Sequence, residues 1–122
     1  MYKIGVDLVE ISRIKKSVQN KRFVERVFSE KEIALFSKKA TVPYQSMAAN
    51  WAAKEAFSKA LGTGVSGFSL NEVSVLRNDL GAPYLKLSGN AEKTAEGYEF
   101  SVSITHTDEL AQAVVIAFRK GD

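Results

Sequence analysis

Two acidic side chains sit where carboxylates are disfavoured. Asp7 lies inside GVDLVEISR, Gly5 to Arg13, a run in which Val6, Leu8, Val9 and Ile11 otherwise spell a strand. Aspartate is depleted in strands and is seldom buried without a partner. Glu55 lies in WAAKEAFSKA, and at about 100° per residue it falls on the helical arc of Ala48, Trp51 and Ala52, with Lys59 one turn beyond. An unpaired carboxylate is costly on either apolar surface. Two such carboxylates converging on one divalent cation would relieve both costs. The competing reading is an i,i+4 ion pair between Glu55 and Lys59, worth about 0.3–0.5 kcal/mol when exposed, which accounts for Glu55 and leaves Asp7 alone.

Composition restricts what that cation is. The chain has no cysteine and one histidine, so thiolate ligands, disulfides and a multi-histidine site within one chain are excluded. Oxygen ligands favour magnesium, calcium or manganese. The one histidine, His106, ends a strand-like run before a polar turn; a hydrogen-bonded, partly exposed residue and a ligand contact are both open for it. The glycines at 62, 64 and 67 follow a helix instead of joining a strand to a helix N-terminus, so they read as a helix stop and connection, not a phosphate loop.

Charge is uneven. The net charge is +3, yet Arg13 to Arg26 holds Arg13, Lys15, Lys16, Lys21, Arg22 and Arg26 against Glu25 alone. Such a surface suits an acidic protein, a phosphate-rich ligand or nucleic acid, and equally a solvated helix face. A nucleic-acid-binding module rests on charge alone, because no aromatic platform, zinc finger or DNA-reading helix accompanies it. No run reaches the roughly 18 apolar residues of a membrane span, so a soluble intracellular chain is expected.

The elements that must position these residues follow from periodicity. Residues 2–11 predict a strand, and Ser12 is the expected cap of a short helix with Ile11, Ile14 and Val18 inward. Ser29 and Glu32 form a Ser-x-x-Glu capping box that opens a helix burying Ile33 and Phe36. Gln45 to Leu61, alanine-rich and stopped by Gly62, is a helix apolar around most of its circumference; Asn50, Lys54 and Ser58 gather on the side away from Glu55. Strands are expected over 70–77, 83–88, 99–106 and 110–118, with a short helix over 90–95 and a hairpin through Thr107 to Glu109. The continuously apolar 110–118 suits a sheet centre. The order predicts one α+β domain over residues 1–122, a largely antiparallel sheet packed on a long central helix.

The motifs GVDLVEISR, FSEKEI at Phe28 to Ile33, WAAKEAFSKALGTG at Trp51 to Gly64, GAPYLKL at Gly81 to Leu87 and SVSITHT at Ser101 to Thr107 occur in one order over nearly the whole chain. Their combination resembles the bacterial holo-[acyl-carrier-protein] synthases, the small members of the phosphopantetheinyl transferase superfamily. Thr105 departs from the pattern, since many relatives have serine there. The resemblance implies a phosphopantetheinyl-transferase-like fold and transfer of the phosphopantetheine arm of coenzyme A to a serine of apo acyl carrier protein. Adenosine 3',5'-bisphosphate leaves, and fatty acid biosynthesis is served in the cytoplasm. It further implies magnesium on Asp7 and Glu55, and Lys59 on the pyrophosphate and as proton donor to the leaving group. The serine proton has three candidate acceptors: Glu55, a water on the magnesium, and His106. Coenzyme A contacts are implied at Ser58, Lys59, Gly62, Gly64, Pro83, His106 and Thr107, in a homotrimer whose sites lie between subunits. Arg13, Lys16, Arg22 and Arg26 are the implied docking surface for an acidic carrier.

Overall fold

Strand alternation builds the sheet that carries Asp7. In the computed structural model, which describes residues 1–121, β1 (Tyr2–Glu10) turns Lys3, Gly5, Asp7 and Val9 inward and leaves Tyr2, Ile4, Val6 and Leu8 exposed. β5 (Leu110–Arg119) runs antiparallel between β1 and β4 (Tyr98–His106), with Asp7 opposite Ala113 and Ala113 opposite Ile104. The inner residues of β5, Ala111, Ala113, Val115 and Ala117, are fully covered, which agrees with its expected central place. β2 (Val73–Arg77) and β3 (Pro83–Leu87) form a separate antiparallel pair. The architecture is therefore α+β and antiparallel as expected, but divided into two sheets.

The long helix α4 (Tyr44–Leu61) lies across β1 and β5. Small residues let it come close: a Cβ added at Gly5 would meet the Ala56 carbonyl oxygen at 1.9 Å and the Ala60 nitrogen at 2.6 Å. Strand and helix thus touch backbone to backbone two residues from Asp7. The helix ends at Gly62, whose φ of 78° supplies the left-handed C-cap. Phe57 anchors the other side through ring contacts of 5.5 Å to Phe68 and 5.0 Å to Phe100.

The remaining elements bring corrections. α1 (Ile11–Ser17) starts one residue before the expected Ser12 cap: Glu10 is its N-cap, without a side-chain bond, because Ile11 N is already held by the Glu109 carbonyl at 2.8 Å. The basic segment contains a second short helix, α2 (Lys21–Val27), capped by Asn20 Oδ1, which accepts from Arg22 N at 2.9 Å. In α3 (Glu30–Ser37) the Ser29/Glu32 capping box is formed, yet the sealed residue is Glu32, while Ile33 and Phe36 are half-buried. The stretch expected as a strand from Leu70 begins with a 3-10 turn, Leu70–Glu72, before β2. The last helix, α5 (Gly89–Thr94), precedes β4. Among the described residues no helix is long and apolar enough to cross a membrane.

Candidate active site

The approach of β1 to α4 brings Asp7, Glu55 and Lys59 together. Lys59 Nζ donates to Asp7 Oδ1 at 3.1 Å and to the Val6 carbonyl at 3.1 Å. The ammonium therefore pairs across elements with Asp7, and the i,i+4 pair with Glu55 is not what forms. Asp7 is 16% exposed and Lys59 55%, so the pair lies at the surface with its carboxylate largely covered. Burial pushes the Glu55 carboxyl above its usual range, and the negative charge of Asp7 adds to that push; Lys59 and Arg13 pull it back. Lys59 thus answers Asp7 directly, while Glu55 has no direct ion pair among the described residues and feels Lys59 and Arg13 only at longer range.

A half-buried carboxylate with no direct counter-ion, beside a second carboxylate, is what a cation site requires. Among the described residues no cluster of three or more metal-ligating side chains exists. Magnesium does not demand one, because it keeps several waters and is commonly held by one or two carboxylates together with substrate phosphates. Asp7 and Glu55 fit such an ion as hard oxygen donors, and a divalent charge would offset both the burial that chiefly raises Glu55 and the repulsion from Asp7 that adds to it.

The other expected site residues are distributed unevenly. His106 is exposed at the end of β4, its Nδ1 3.2 Å from the Thr107 carbonyl. Because β5 separates β4 from β1, at about 4.8 Å per strand step, His106 lies about 10 Å or more from Asp7 within the chain. Thr107 shapes the hairpin: its Oγ1 accepts from Glu109 N at 3.2 Å and Leu110 N at 3.0 Å. Ser58 is buried and its hydroxyl donates to the Lys54 carbonyl at 3.2 Å, so it faces the core. Gly62 and Gly64 lie in the exposed connection after α4, and Pro83 opens β3 opposite Arg77. Arg13 and Lys16 are exposed on α1, and Arg13 is near enough for its charge to act on Glu55. Arg22 and Arg26 are exposed on α2; Arg26 edges an open cleft floored by Phe23, Trp51, Val65 and Phe68.

On a neighbouring face of α4, about 100° round from Glu55, lies a second charged group. Lys54 and Glu32 are both fully buried, with Lys54 Nζ donating to Glu32 Oε1 at 2.6 Å, to the Leu70 carbonyl at 3.0 Å and to the Val73 carbonyl. Glu32 Oε1 also accepts from Ser29 N at 2.9 Å, and its Oε2 accepts from Asn50 Nδ2 at 2.9 Å. Asn50 Nδ2 reaches the Val75 carbonyl at 3.3 Å. Burial holds the Lys54 ammonium below its usual pKa range, against the attraction of Glu32.

The sequence profile of the 4'-phosphopantetheinyl transferase superfamily matches residues 3–116. The chain belongs to that superfamily. It is 42% identical over 117 residues to the holo-[acyl-carrier-protein] synthase of Clostridium acetobutylicum, covering 93% of this chain and 94% of that one. It is 45% identical over 116 residues to the Clostridium beijerinckii protein of the same name, with coverage of 93% and 94%. Among solved structures, the Neisseria meningitidis holo-[acyl-carrier-protein] synthase superposes with a TM-score of 0.88 at 28% identity, over 96% of this chain and 98% of that one. The Helicobacter pylori enzyme, solved in complex with coenzyme A, gives 0.81 at 35% identity over 94% and 99%.

Within this superfamily fold, the Lys54 network is what residue-by-residue reading passed over. Its signal was present: Ser46, Asn50, Lys54 and Ser58 repeat every four residues, a polar stripe along a helix otherwise rich in alanine. Such a stripe reads as a solvated face. Here Asn50, Lys54 and Ser58 are buried, whereas Trp51 and Glu55, on the nominally apolar arc, are only half-buried.

Proposed function

We propose that this chain transfers the 4'-phosphopantetheine arm of coenzyme A to a serine hydroxyl of an apo acyl carrier protein, supporting fatty acid biosynthesis in the cytoplasm. The serine Oγ attacks the phosphorus next to the pantetheine arm, the bridging P–O bond breaks, and adenosine 3',5'-bisphosphate leaves. The observation that carries this reading is the meeting of the Asp7 and Glu55 carboxylates with the Lys59 ammonium, in a chain similar along nearly its full length to proteins named for this activity. Asp7 and Glu55 would hold magnesium, which when bound supplies positive charge against the pyrophosphate oxygens. Lys59 offers an ammonium to the phosphoryl oxygens and a proton to the departing bisphosphate. Glu55 and His106 are the side-chain candidates for taking the serine proton.

The enzyme is a homotrimer with sites between subunits. An assembly is supported by the outer face of β1 and β5, where Ile4 is 67% exposed, Leu8 58%, and Tyr2, Val6 and Ile116 join them in one apolar surface. In such an assembly the His106 and Thr107 corner, with Gly62, Gly64 and Pro83, is offered to coenzyme A bound beside an adjoining copy's Asp7. The carrier docks on Arg13, Lys16, Arg22 and Arg26, cations suited to an acidic partner, beside the apolar cleft that Arg26 edges. Incubation with apo carrier, coenzyme A and magnesium should add the phosphopantetheine mass to the carrier, and a chelator should abolish it. An unchanged carrier mass with all components present would refute the activity.

A further inference from the structure

We propose that the buried Lys54, Glu32 and Asn50 cluster is a positioning device: it fixes the rotation of α4 about its own axis and thereby aims Glu55 and Lys59 at Asp7. This rests on the proposed role of Asp7 and Glu55 as the metal pair. The need for such a device follows from how α4 is packed. Its covered apolar surface carries six alanines, Ala48, Ala49, Ala52, Ala53, Ala56 and Ala60, beside Met47, Phe57 and Leu61, and at Ala56 and Ala60 it meets the bare backbone of Gly5. Methyl groups against a glycine make a smooth contact, and apolar burial has no direction. Rotating a helix by about 20° moves a group at its periphery by about 2 Å. Misplacement by about 1 Å can lower a rate about 100-fold.

Directional bonds remove that freedom. Lys54 Nζ reaches acceptors on three separate segments: Glu32 on α3, the Leu70 carbonyl in the 3-10 turn and the Val73 carbonyl on β2. Asn50, one turn earlier, bonds Glu32 Oε2 and the Val75 carbonyl. Among the described residues no buried side-chain nitrogen or oxygen lacks a partner, so this network tolerates one arrangement and resists its neighbours. Stability alone is a weak reason to keep it, since buried ion pairs can often be replaced by uncharged residues without loss. Lys54 and Glu55 are consecutive, so a helix locked at Lys54 is locked at Glu55.

The test is Mn2+ binding to the metal-free protein, read by electron paramagnetic resonance, together with kcat and KM for carrier modification. The variant Lys54→Met/Glu32→Gln removes both charges and keeps the capping-box acceptor. It should stay folded by circular dichroism, bind Mn2+ about tenfold more weakly and lose about tenfold or more in kcat, with KM for the carrier unchanged. A folded double variant with wild-type Mn2+ affinity and kcat overturns the inference. Should that variant fail to fold, Asn50→Leu decides, because it removes one bond to Glu32 while the charges stay paired. A loss of about threefold in both Mn2+ affinity and kcat is then expected, and wild-type values overturn the inference. Asp7→Ala separates the two levels: if it binds Mn2+ as well as wild type, the metal-pair reading fails and this inference falls with it.

Discussion

Lys54 and Glu55 are adjacent in the chain and belong to opposite electrostatic regimes. On the Lys54 side, one ammonium faces one carboxylate, both are sealed from solvent, and carbonyls and an amide take up the remaining bonds. On the Glu55 side, the Lys59 ammonium pairs with Asp7 at a half-open surface, and Glu55, with no direct ion pair among the described residues, is held above its usual pKa range. Depth of burial would rank the first group as the remarkable one to a search for function, yet its charges are already answered within the fold. In the second group Glu55 is left without a direct counter-ion, which makes it receptive to a cation, while Lys59 and Arg13 keep positive charge at hand for a phosphate. Imbalance, more than burial, separates a site from a strut.

The comparison is broken most directly by removing one partner of the balanced pair. Glu32→Ala strands the Lys54 ammonium in the core and deletes an acceptor for Ser29 N and Asn50. Breaking a buried pair from one side costs about 3–5 kcal/mol, a large part of the stability of an ordinary domain. Urea unfolding should register that loss. A change below about 1 kcal/mol would mean that the pair is not the balanced strut described.

The unbalanced side should respond in the opposite sense. Glu55→Gln keeps the side-chain shape while removing a charge that burial and Asp7 both disfavour. The metal-free thermal midpoint should stay level or rise, while carrier modification falls by about 10²–10³-fold, or about 3–4 kcal/mol in the barrier. A midpoint that drops together with activity would place Glu55 in the same class as Glu32.

Local signals were legible in the sequence, and cross-chain ones were not. The Ser29 capping box could be read because its partner is three residues away, and the strands at 98–106 and 110–119 because alternation and apolar continuity are local. The long helix was bounded by Gly62 for the same reason. The rest of the Glu32 bonding was hidden, since Asn50, on Oε2, and Lys54, on Oε1, lie 18 and 22 residues further along. The helix α2 was obscured by its charge: Phe23, Val24 and Val27 carry a helical spacing, but the surrounding cations read as a patch. Asp7 and Glu55 could be paired because each was anomalous in its own element. That Lys59 would bond Asp7 instead of Glu55 depended on the close approach at Gly5, which no periodicity encodes.

A third carboxylate supplies the finest test of the contrast. Glu72 accepts from Ser69 N at 2.9 Å through Oε1 and from Asn90 N at 2.9 Å through Oε2. The Ser69 amide foremost, then those of Asn90 and Ala91, hold its carboxyl below the usual range. Its sign is therefore opposite to that of Glu55. For Glu72 the unfolded chain binds the proton more readily, so the stabilisation is full above the unfolded value of 4.5 and is lost as pH falls through the lower folded value. For Glu55 the folded chain binds the proton more readily, so stability declines as pH rises from 4.5 through the raised folded value. Glu72→Gln should cost about 0.5 kcal/mol at neutral pH, kept small by solvent screening, and nothing in acid below the folded value. Glu55→Gln, with chelator present, should show no difference from wild type in acid and a gain at neutral pH. Urea midpoints across that range give two difference curves of opposite slope. Parallel slopes would mean that Asp7 and burial do not load Glu55 as described, and the distinction between the two faces of α4 would then rest on the Glu32 result alone.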